Sequence, residues 1–436
     1  MLVISADNAR AQLGLGEGRL HDTDNLQAAM SQCSVWSHTL MSPEELPRVL
    51  ARAFSIFRSQ RPGPVHISIP IDVITAPADE VDTRVWRSPS RPAADAAALQ
   101  QTADLLRSAE RPVLALGGGC SDAQEAVLEL VERLDAPVTL THNAKGLLLP
   151  EHPLLVASSP SYVPVRELYA DADVVLGIGT EFSETDYDFF FDGGFVLGGS
   201  LIRIDIDATQ LSRNVRPEVA IQSDAGLAIE GFLQVLEPAQ RGGVERTREV
   251  NQQLAPLHRE DYQAFLDTLQ RALPGAAVLG DSTQPAYFAA AQYNAPAPRR
   301  FASAATGYGT LGYALPAAFG ARLGLPDVPV IALIGDGGLQ FTINELSTAV
   351  EAEISVAVLV WNNERYEMIA QNFETADMQP IACDIHTPDF LAIARGYGCP
   401  ALRASNLEEL EAALHSSLEV NLPTVIEVRE EDFLRE

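Results

Sequence analysis

Two long regions of the chain alternate short apolar runs with helix-length segments. The apolar runs are Val113–Leu116, Val138–Thr141, Val174–Ile178 and Leu201–Asp205 in residues 98–236, and Val328–Ile334, Ser355–Val360 and Thr424–Val428 in residues 250–436. Residues 122–134, between the first two runs, carry apolar side chains at helical spacing. Such alternation is typical of parallel sheets covered by helices on both faces. We therefore predict the α/β class, with three-layer α/β/α domains built on parallel sheets.

The segment before these regions is shorter. Residues 2–5 and 64–72 predict strands, but the block is too short for a complete α/β layer. Residues 79–97 have the Pro-rich, charged composition of a linker. The predicted organisation is a partial domain over residues 1–78, a linker over 79–97, a central domain over 98–236 and a last domain over 250–436. Because a strand opens the chain without any preceding element, we expect an upstream part to be missing.

Composition narrows the class of protein further. The 436 residues are 47% hydrophobic and 20% charged, and 30 basic against 59 acidic side chains give a formal charge of −29. Such an acidic surface repels nucleic-acid phosphates and anionic membranes. We therefore expect neither nucleic acid nor a membrane as a partner. No apolar run approaches the roughly 18–20 residues of a membrane helix, and the four cysteines show no C-x-x-C spacing. These features favour a cytoplasmic protein.

The strongest local motif is Ile334-Gly-Asp-Gly-Gly338, directly after an apolar run and before an amphipathic segment over residues 339–350, which we predict to be one helix. Glycines let backbone approach a ligand closely, and a helix N-terminus offers free N–H groups to a phosphate. The next apolar run is followed by Asn362 and Asn363. Neighbouring parallel strands bring their carboxyl ends together, so Asp336 and Asn363 are expected to meet and to supply oxygen ligands for Mg²⁺.

The pair Gly-Asp-Gly and Asn-Asn at this spacing resembles the signature of thiamine diphosphate-dependent enzymes. The resemblance covers nearly the whole chain and is greatest to the acetolactate synthase-like branch. Residues 307–320 look like the segment that holds the cofactor rings, residues 64–73 like the closing strand of the pyrimidine-binding domain, and residues 98–235 like the central domain. The three predicted domains would then be a partial pyrimidine-binding domain, a central domain and a diphosphate-binding domain.

The resemblance also implies roles for individual residues. Mg²⁺ would be bound by Asp336, by the Asn363 side chain and by the Arg365 carbonyl. Four further residues would contact the cofactor. Its diphosphate would be bound by Gln284, Gly335 and Gly337, and its aminopyrimidine would donate a hydrogen bond to the Gly309 carbonyl. Leu311 would support the bent conformation of the cofactor, although ordinary core packing is the alternative for this residue. Some relatives bind FAD in the central domain, and the sequence leaves FAD open here.

Members of the family use a glutamate from the pyrimidine-binding domain of a neighbouring subunit to activate the cofactor. The matching position lies upstream of residues 2–5, so no catalytic residue of this kind is identified in the chain. Shared sites of this type imply a homodimer or a homotetramer. An inactive fragment or degenerate paralogue remains an alternative to an active enzyme, and the DNA before the Met1 codon would distinguish a misassigned start from degeneration.

The implied reaction is non-oxidative decarboxylation of a small 2-oxo acid. Residues 179–186, 281–287 and 306–313 look most like those of enzymes that decarboxylate 5-guanidino-2-oxopentanoate, whose tail is cationic. A helix beginning near Arg365 would place Glu367 and Glu374 on one face, where a carboxylate can pair with a guanidinium. A solvated acidic helix face is the alternative interpretation for these two glutamates.

Two other enzyme classes are alternatives to a decarboxylase. In acetolactate synthase-like carboligation, the intermediate attacks a second 2-oxo acid, and product analysis with pyruvate would separate ligation from decarboxylation. A nucleotide-dependent oxidoreductase is suggested only by Gly117–Gly119 and Gly177–Gly179, which follow apolar runs. Neither glycine cluster completes G-x-G-x-x-G with an acidic residue about 20 positions later, so the oxidoreductase ranks lowest.

Overall fold

The structure is a computed structural model, and it describes residues 1–187 and 195–434. The chain divides into two compact units. The first consists of residues 1–94 with the short stretches 206–209 and 222–224, and the second of residues 95–205, 210–221 and 225–436. Across the described part of the chain, no helix is long and apolar enough to cross a membrane.

The first unit contains a small parallel sheet with the strand order β1-β3-β2. Its elements are β1 (Leu2–Asp7), α1 (Leu26–Ser31), β2 (Trp36–Thr39), α2 (Leu46–Ser59), β3 (Val65–Pro70) and α3 (Ile71–Ile74). Val49 and Ile56, two turns apart on α2, pack onto the core of this sheet. His66, the second residue of β3, is buried, and its two ring nitrogens form 2.8 Å hydrogen bonds to Ser5 on β1 and Ser37 on β2.

The central region of the second unit forms a five-stranded sheet with the order β5-β4-β6-β7-β8. Its elements are α4 (Ala96–Ser108), β4 (Val113–Leu116), α5 (Gln124–Leu134), β5 (Val138–Leu140), α6 (Val163–Ala170), β6 (Val174–Ile178), α7 (Glu184–Tyr187), β7 (Ser200–Asp205), β8 (Val219–Gln222) and α8 (Ala225–Val235). Asp95 caps α4 by accepting hydrogen bonds from the backbone N–H groups of Ala97 and Ala98. Every residue of β4 and β6 is buried, as expected for inner strands covered on both faces.

The last region of the chain forms a six-stranded parallel sheet with the order β10-β9-β11-β12-β14-β13. It is preceded by α9 (Gly243–Leu254), whose Val250 and Leu254 pack into the core of the central sheet. The elements of the last region are α10 (Glu260–Ala272), β9 (Ala277–Gly280), α11 (Gln284–Gln292), β10 (Phe301–Ser303), α12 (Ala314–Gly324), β11 (Val330–Gly335), α13 (Asp336–Thr342), α14 (Glu345–Glu351), β12 (Ala357–Asn362), α15 (Glu367–Thr375), α16 (Phe390–Gly396), β13 (Ala401–Ala404), α17 (Leu407–Ser416), β14 (Thr424–Arg429) and α18 (Glu430–Phe433). Successive residues of β12 enter opposite cores: Leu359 and Trp361 pack with α10 and α17, whereas Val358 and Val360 pack with α12 and α16. Helices therefore cover both faces of this sheet.

These sheets confirm the predicted α/β class and its parallel, three-layer architecture. The predicted runs Val113–Leu116 and Val174–Ile178 have the same bounds as β4 and β6. The single helix predicted over residues 339–350 is wrong, because the structure has α13 and α14 there with a break at Ile343 and Asn344. The residues around the break have modest helix propensity, and the Thr342 hydroxyl donates to the Gly312 carbonyl outside the helix (2.9 Å).

Candidate active site

The residues singled out in the sequence lie at the carboxyl edge of the last sheet. Four neighbouring parallel strands, β10, β9, β11 and β12, end there, and the loop after each strand carries candidate residues. Gln284 follows β9, Gly309 and Leu311 follow β10, Asp336 follows β11, and Asn363 follows β12. A crevice outside the carboxyl ends of parallel strands is the usual ligand position in α/β folds.

Asp336 is a buried carboxylate at the first position of α13, with only 3% of its surface exposed. One carboxylate oxygen accepts a hydrogen bond from the N–H of Gly337 and the other from the N–H of Glu364, each at 2.8 Å. Burial raises the pKa of Asp336 to about 6, and these hydrogen bonds oppose that rise. A buried carboxylate that favours protonation is the kind of group that a cation stabilises when it binds.

The hydrogen bond from Glu364 joins Asp336 to the loop after β12. Glu364 has a φ of 56°, an uncommon left-handed conformation that makes the chain turn sharply there. The Asn363 side-chain oxygen accepts the Arg365 N–H (3.3 Å) within the same turn. The structure therefore brings Asp336 and the Asn363–Arg365 segment together. A carboxylate, an amide oxygen and a backbone carbonyl are oxygen donors of the kind that Mg²⁺ prefers.

No group of three or more His, Cys, Asp or Glu side chains suited to a metal occurs in residues 1–187 and 195–434. The three predicted ligands include only one such side chain, because the others are an amide and a backbone carbonyl. A carbonyl ligand does not depend on the type of its side chain, so Arg365 was identified only through the resemblance.

The two glycines beside Asp336 pack so closely against neighbouring side chains that there is little room for a Cβ atom at either position. A Cβ atom on Gly337 would lie 2.5 Å from a ring carbon of Tyr366, and one on Gly335 would lie 3.1 Å from the Thr283 hydroxyl. Contacts this short require neighbouring atoms to shift. Gly337 therefore lets α13 approach Tyr366 closely, and the backbone at Gly335 and Gly337 remains uncovered by side chains of its own.

The loops after β9 and β10 hold the other candidate residues. Gln284 is buried at the start of α11 and makes a long contact with the Gln371 side-chain oxygen (3.5 Å). Gly309 has a φ of 64°, and its carbonyl accepts a hydrogen bond from the Ser282 hydroxyl (3.3 Å). Leu311 is half-buried in the same loop. The structure thus brings these residues to the edge of the sheet that holds Asp336.

Asp281 holds the loop after β10 in place, and no pattern in the sequence pointed to this role. It is fully buried, and its carboxylate accepts hydrogen bonds from the N–H groups of Ser282 (2.9 Å) and Ala314 (3.0 Å). Burial raises the pKa of Asp281, and these backbone bonds lower it. Asp281 directly follows β9, and its hydrogen bond to Ala314 fixes the start of α12, where the loop that contains Gly309 ends.

Glu367 and Glu374, the candidate substrate residues, lie on one face of α15 as predicted. The helix begins at Glu367, two residues after the expected start. Both carboxylates contact the Arg365 guanidinium, at 3.3 Å from Glu367 and 3.0 Å from Glu374. Glu367 also accepts a hydrogen bond from Gln371 (2.9 Å), which in turn contacts Gln284. The two glutamates therefore already hold a guanidinium, which belongs to the chain itself.

Sequence comparison identifies the family. Residues 281–428 match the family model described as "Thiamine pyrophosphate enzyme, C-terminal TPP binding domain", and residues 99–232 match the one described as "Thiamine pyrophosphate enzyme, central domain". The chain belongs to the thiamine pyrophosphate enzymes. The region matched by the TPP-binding model includes the loops that carry Gln284, Gly309, Asp336 and Asn363. Thiamine pyrophosphate, also called thiamine diphosphate, is therefore the cofactor of this family of enzymes.

Individual relatives are named as a 2-ketoarginine decarboxylase and as acetolactate synthases. A probable 2-ketoarginine decarboxylase, AruI, of Pseudomonas aeruginosa is 40% identical over 439 residues, which cover 98% of this chain and 78% of the relative. The acetolactate synthase isozyme 1 large subunit of Escherichia coli is 30% identical over 88% of this chain and 70% of its own length. A probable acetolactate synthase large subunit of Methanocaldococcus jannaschii is 29% identical over 89% of this chain and 70% of its own length.

Proposed function

We propose that this thiamine pyrophosphate enzyme catalyses the Mg²⁺-dependent, non-oxidative decarboxylation of a 2-oxo acid. The observation that carries the proposal is the hydrogen bond between the Asp336 carboxylate and the Glu364 N–H, which joins the two loops of the Gly-Asp-Gly and Asn-Asn motifs. Asp336, the Asn363 side chain and the Arg365 carbonyl would hold Mg²⁺, which requires oxygen ligands of this type.

The remaining candidate residues would bind and orient the cofactor. Thiamine diphosphate, when bound, supplies the nucleophile and the electron sink for the loss of carbon dioxide. Gln284 and the backbone at Gly335 and Gly337 would contact its diphosphate. The Gly309 carbonyl would accept a hydrogen bond from its aminopyrimidine, and Leu311 would support its bent conformation. The positive φ of Gly309 supports its assignment, because this backbone conformation favours glycine.

For the substrate, we propose 5-guanidino-2-oxopentanoate, the compound also called 2-ketoarginine. The name of the Pseudomonas aeruginosa relative supports this choice. In the structure Glu367 and Glu374 pair with the Arg365 guanidinium, so the substrate would have to replace Arg365 at one of these carboxylates or at both. The substrate's guanidinium would bind to one or both of them.

Carbon dioxide release from the purified chain with thiamine diphosphate and Mg²⁺ tests the reaction. The substrates would be pyruvate, benzoylformate and 5-guanidino-2-oxopentanoate, and Asp336→Ala would be compared with Asp267→Ala, which changes an exposed aspartate on α10. Where carbon dioxide is released, Asp336→Ala should abolish the release and Asp267→Ala should leave it unchanged. No release from any of the three substrates would favour the inactive-fragment alternative. Release that continues in Asp336→Ala would contradict the proposed site.

The substrate assignment needs its own comparison. Glu367→Gln and Glu374→Gln should raise KM for 5-guanidino-2-oxopentanoate by roughly tenfold to a hundredfold, because hydrogen bonds to charged groups are worth about 1.5–3 kcal/mol. KM for an uncharged 2-oxo acid should change little. Glu351→Gln removes the same charge at an exposed position on α14 and serves as the control. Equal effects on charged and uncharged substrates would exclude a guanidinium-binding role.

Carboligation is the second candidate function, because relatives named acetolactate synthase also match most of the chain. Analysis of the products formed from pyruvate separates the two reactions, since acetolactate indicates ligation and free aldehyde indicates decarboxylation. We also propose a homodimer or homotetramer acting in the cytoplasm, as in enzymes that share their sites between subunits. Light scattering of the purified protein would measure the oligomer.

A further inference from the structure

Glu430 lies beside the proposed metal loop although it is distant from that loop in sequence. It is the first residue of α18, immediately after β14, and β14 is the neighbour of β12 in the sheet. One Glu430 carboxylate oxygen lies 2.7 Å from the indole nitrogen of Trp361 and 3.3 Å from the side-chain nitrogen of Asn363. The Trp361 side chain is fully buried, so this contact has a fixed position.

The Trp361 contact determines which way the Asn363 amide faces. An indole N–H can only donate a hydrogen bond, so the Glu430 oxygen must be an acceptor. The Asn363 atom that faces the same oxygen must then be a donor, which is the amide NH₂ group. The amide oxygen consequently faces away from Glu430, towards the turn at Arg365, where it accepts the backbone N–H at 3.3 Å.

We propose that Glu430 is a positioning residue that holds the Asn363 amide with its oxygen directed to the metal. This inference rests on the proposed function, which makes Asn363 a metal ligand. An amide has one oxygen and one NH₂ group, and only the oxygen can bind Mg²⁺, so a rotated amide would present the wrong atom. Without Glu430, no contact with a carboxylate at this position favours one orientation of the Asn363 amide over the rotated one. Groups that orient metal ligands in this way affect metal affinity about tenfold to a hundredfold.

Mn²⁺ binding in the presence of thiamine diphosphate, followed by the electron paramagnetic resonance of free Mn²⁺, tests the proposal without measuring turnover. Glu430→Ala should weaken Mn²⁺ binding about tenfold or more. Glu430→Gln keeps an acceptor oxygen and should restore most of the affinity. Glu431→Ala removes the same charge from the neighbouring, exposed position and is the matched control. A similar loss in Glu430→Ala and Glu431→Ala would overturn the proposal, because it would indicate a general effect of charge.

A second background isolates the orientation of residue 363. Asn363→Asp places an oxygen at both positions of the side chain, so orientation no longer matters for metal binding. In that background, Glu430→Ala should not weaken Mn²⁺ binding. The same weakening in both backgrounds would overturn the positioning role.

The proposed function is tested separately in the same experiment by Asp336→Asn. If the unmodified chain binds Mn²⁺ and Asp336→Asn does not, the metal site stands regardless of what Glu430 does. If Mn²⁺ binding is independent of Asp336, the metal site itself is wrong and the role of Glu430 falls with it.

Discussion

Replacing Asp336 by asparagine should change how the stability of the cofactor-free protein depends on pH. Burial raises the pKa of Asp336 from its usual value of 3.8 to about 6. Between those values the folded protein binds a proton that the unfolded chain does not, so this stabilisation is lost as the pH rises through about 6. The two values differ by roughly two pH units, each worth about 1.4 kcal/mol, so the full contribution is about 3 kcal/mol.

About half of this contribution, roughly 1.4 kcal/mol, falls between about pH 5 and pH 7.5. Urea unfolding followed by fluorescence, without Mg²⁺ or thiamine diphosphate, would give the free energies of unfolding of the wild type and Asp336→Asn across that range. The asparagine does not titrate. The free energy of unfolding of the wild type should therefore fall by roughly 1.4 kcal/mol relative to that of Asp336→Asn as the pH rises across this range. The exposed Asp267→Asn should show no such trend. The reasoning would be refuted if the free energies of unfolding of the wild type and Asp336→Asn differed by the same amount at every pH.

Three further predictions concern other residues. Gly337→Ala should destabilise the protein by about 1–3 kcal/mol in thermal unfolding, since its Cβ would lie 2.5 Å from the Tyr366 ring, whereas Gly320→Ala in α12 meets nothing within 4 Å and should be neutral or stabilising. Cys33 is exposed and the other three cysteines are buried, so an aromatic disulfide reagent should modify one thiol rapidly in the native protein, and Cys33→Ser should remove that phase. Burial lowers the pKa of His66, so the stability that the neutral imidazole contributes is present above about pH 6.5 and is lost as the pH falls below that value. Hydrogen exchange in β1–β3 should therefore accelerate below about pH 6.5. His66→Gln should not show this pH dependence.

The sequence predicted the sheets well because inner parallel strands have a simple signature. Val174–Ile178 is apolar at nearly every position, and β6 is buried on both faces, so pattern and burial agree. Asp336 and Asn363 were predicted to meet for a similar reason, since each follows a strand and the two strands are neighbours. The break between α13 and α14 was missed because the amphipathic pattern continues through it, while the Thr342 side chain bonds to a distant loop.

The contacts of Glu430 and Arg365 show what a linear pattern cannot provide. The guanidinium of Arg365 binds Glu367 and Glu374 of the following helix, and this pairing depends on the turn at Glu364. Glu430 lies next to Asn363 only because β14 is placed beside β12. The position of Glu430 immediately after a strand was nevertheless a usable signal, because the carboxyl end of every parallel strand lies at the same edge.

The strand order of the last sheet also determines when this edge can form during folding. β14 lies between β12 and β13, although both precede it in the chain. Neither the attachment of β13 nor the contact between Asn363 and Glu430, 67 residues apart, can be completed until the last strand has been inserted. Non-local pairing of this kind is slow to form. We therefore expect the protein to acquire its cofactor-binding competence late in folding, after β14 has been inserted between β12 and β13.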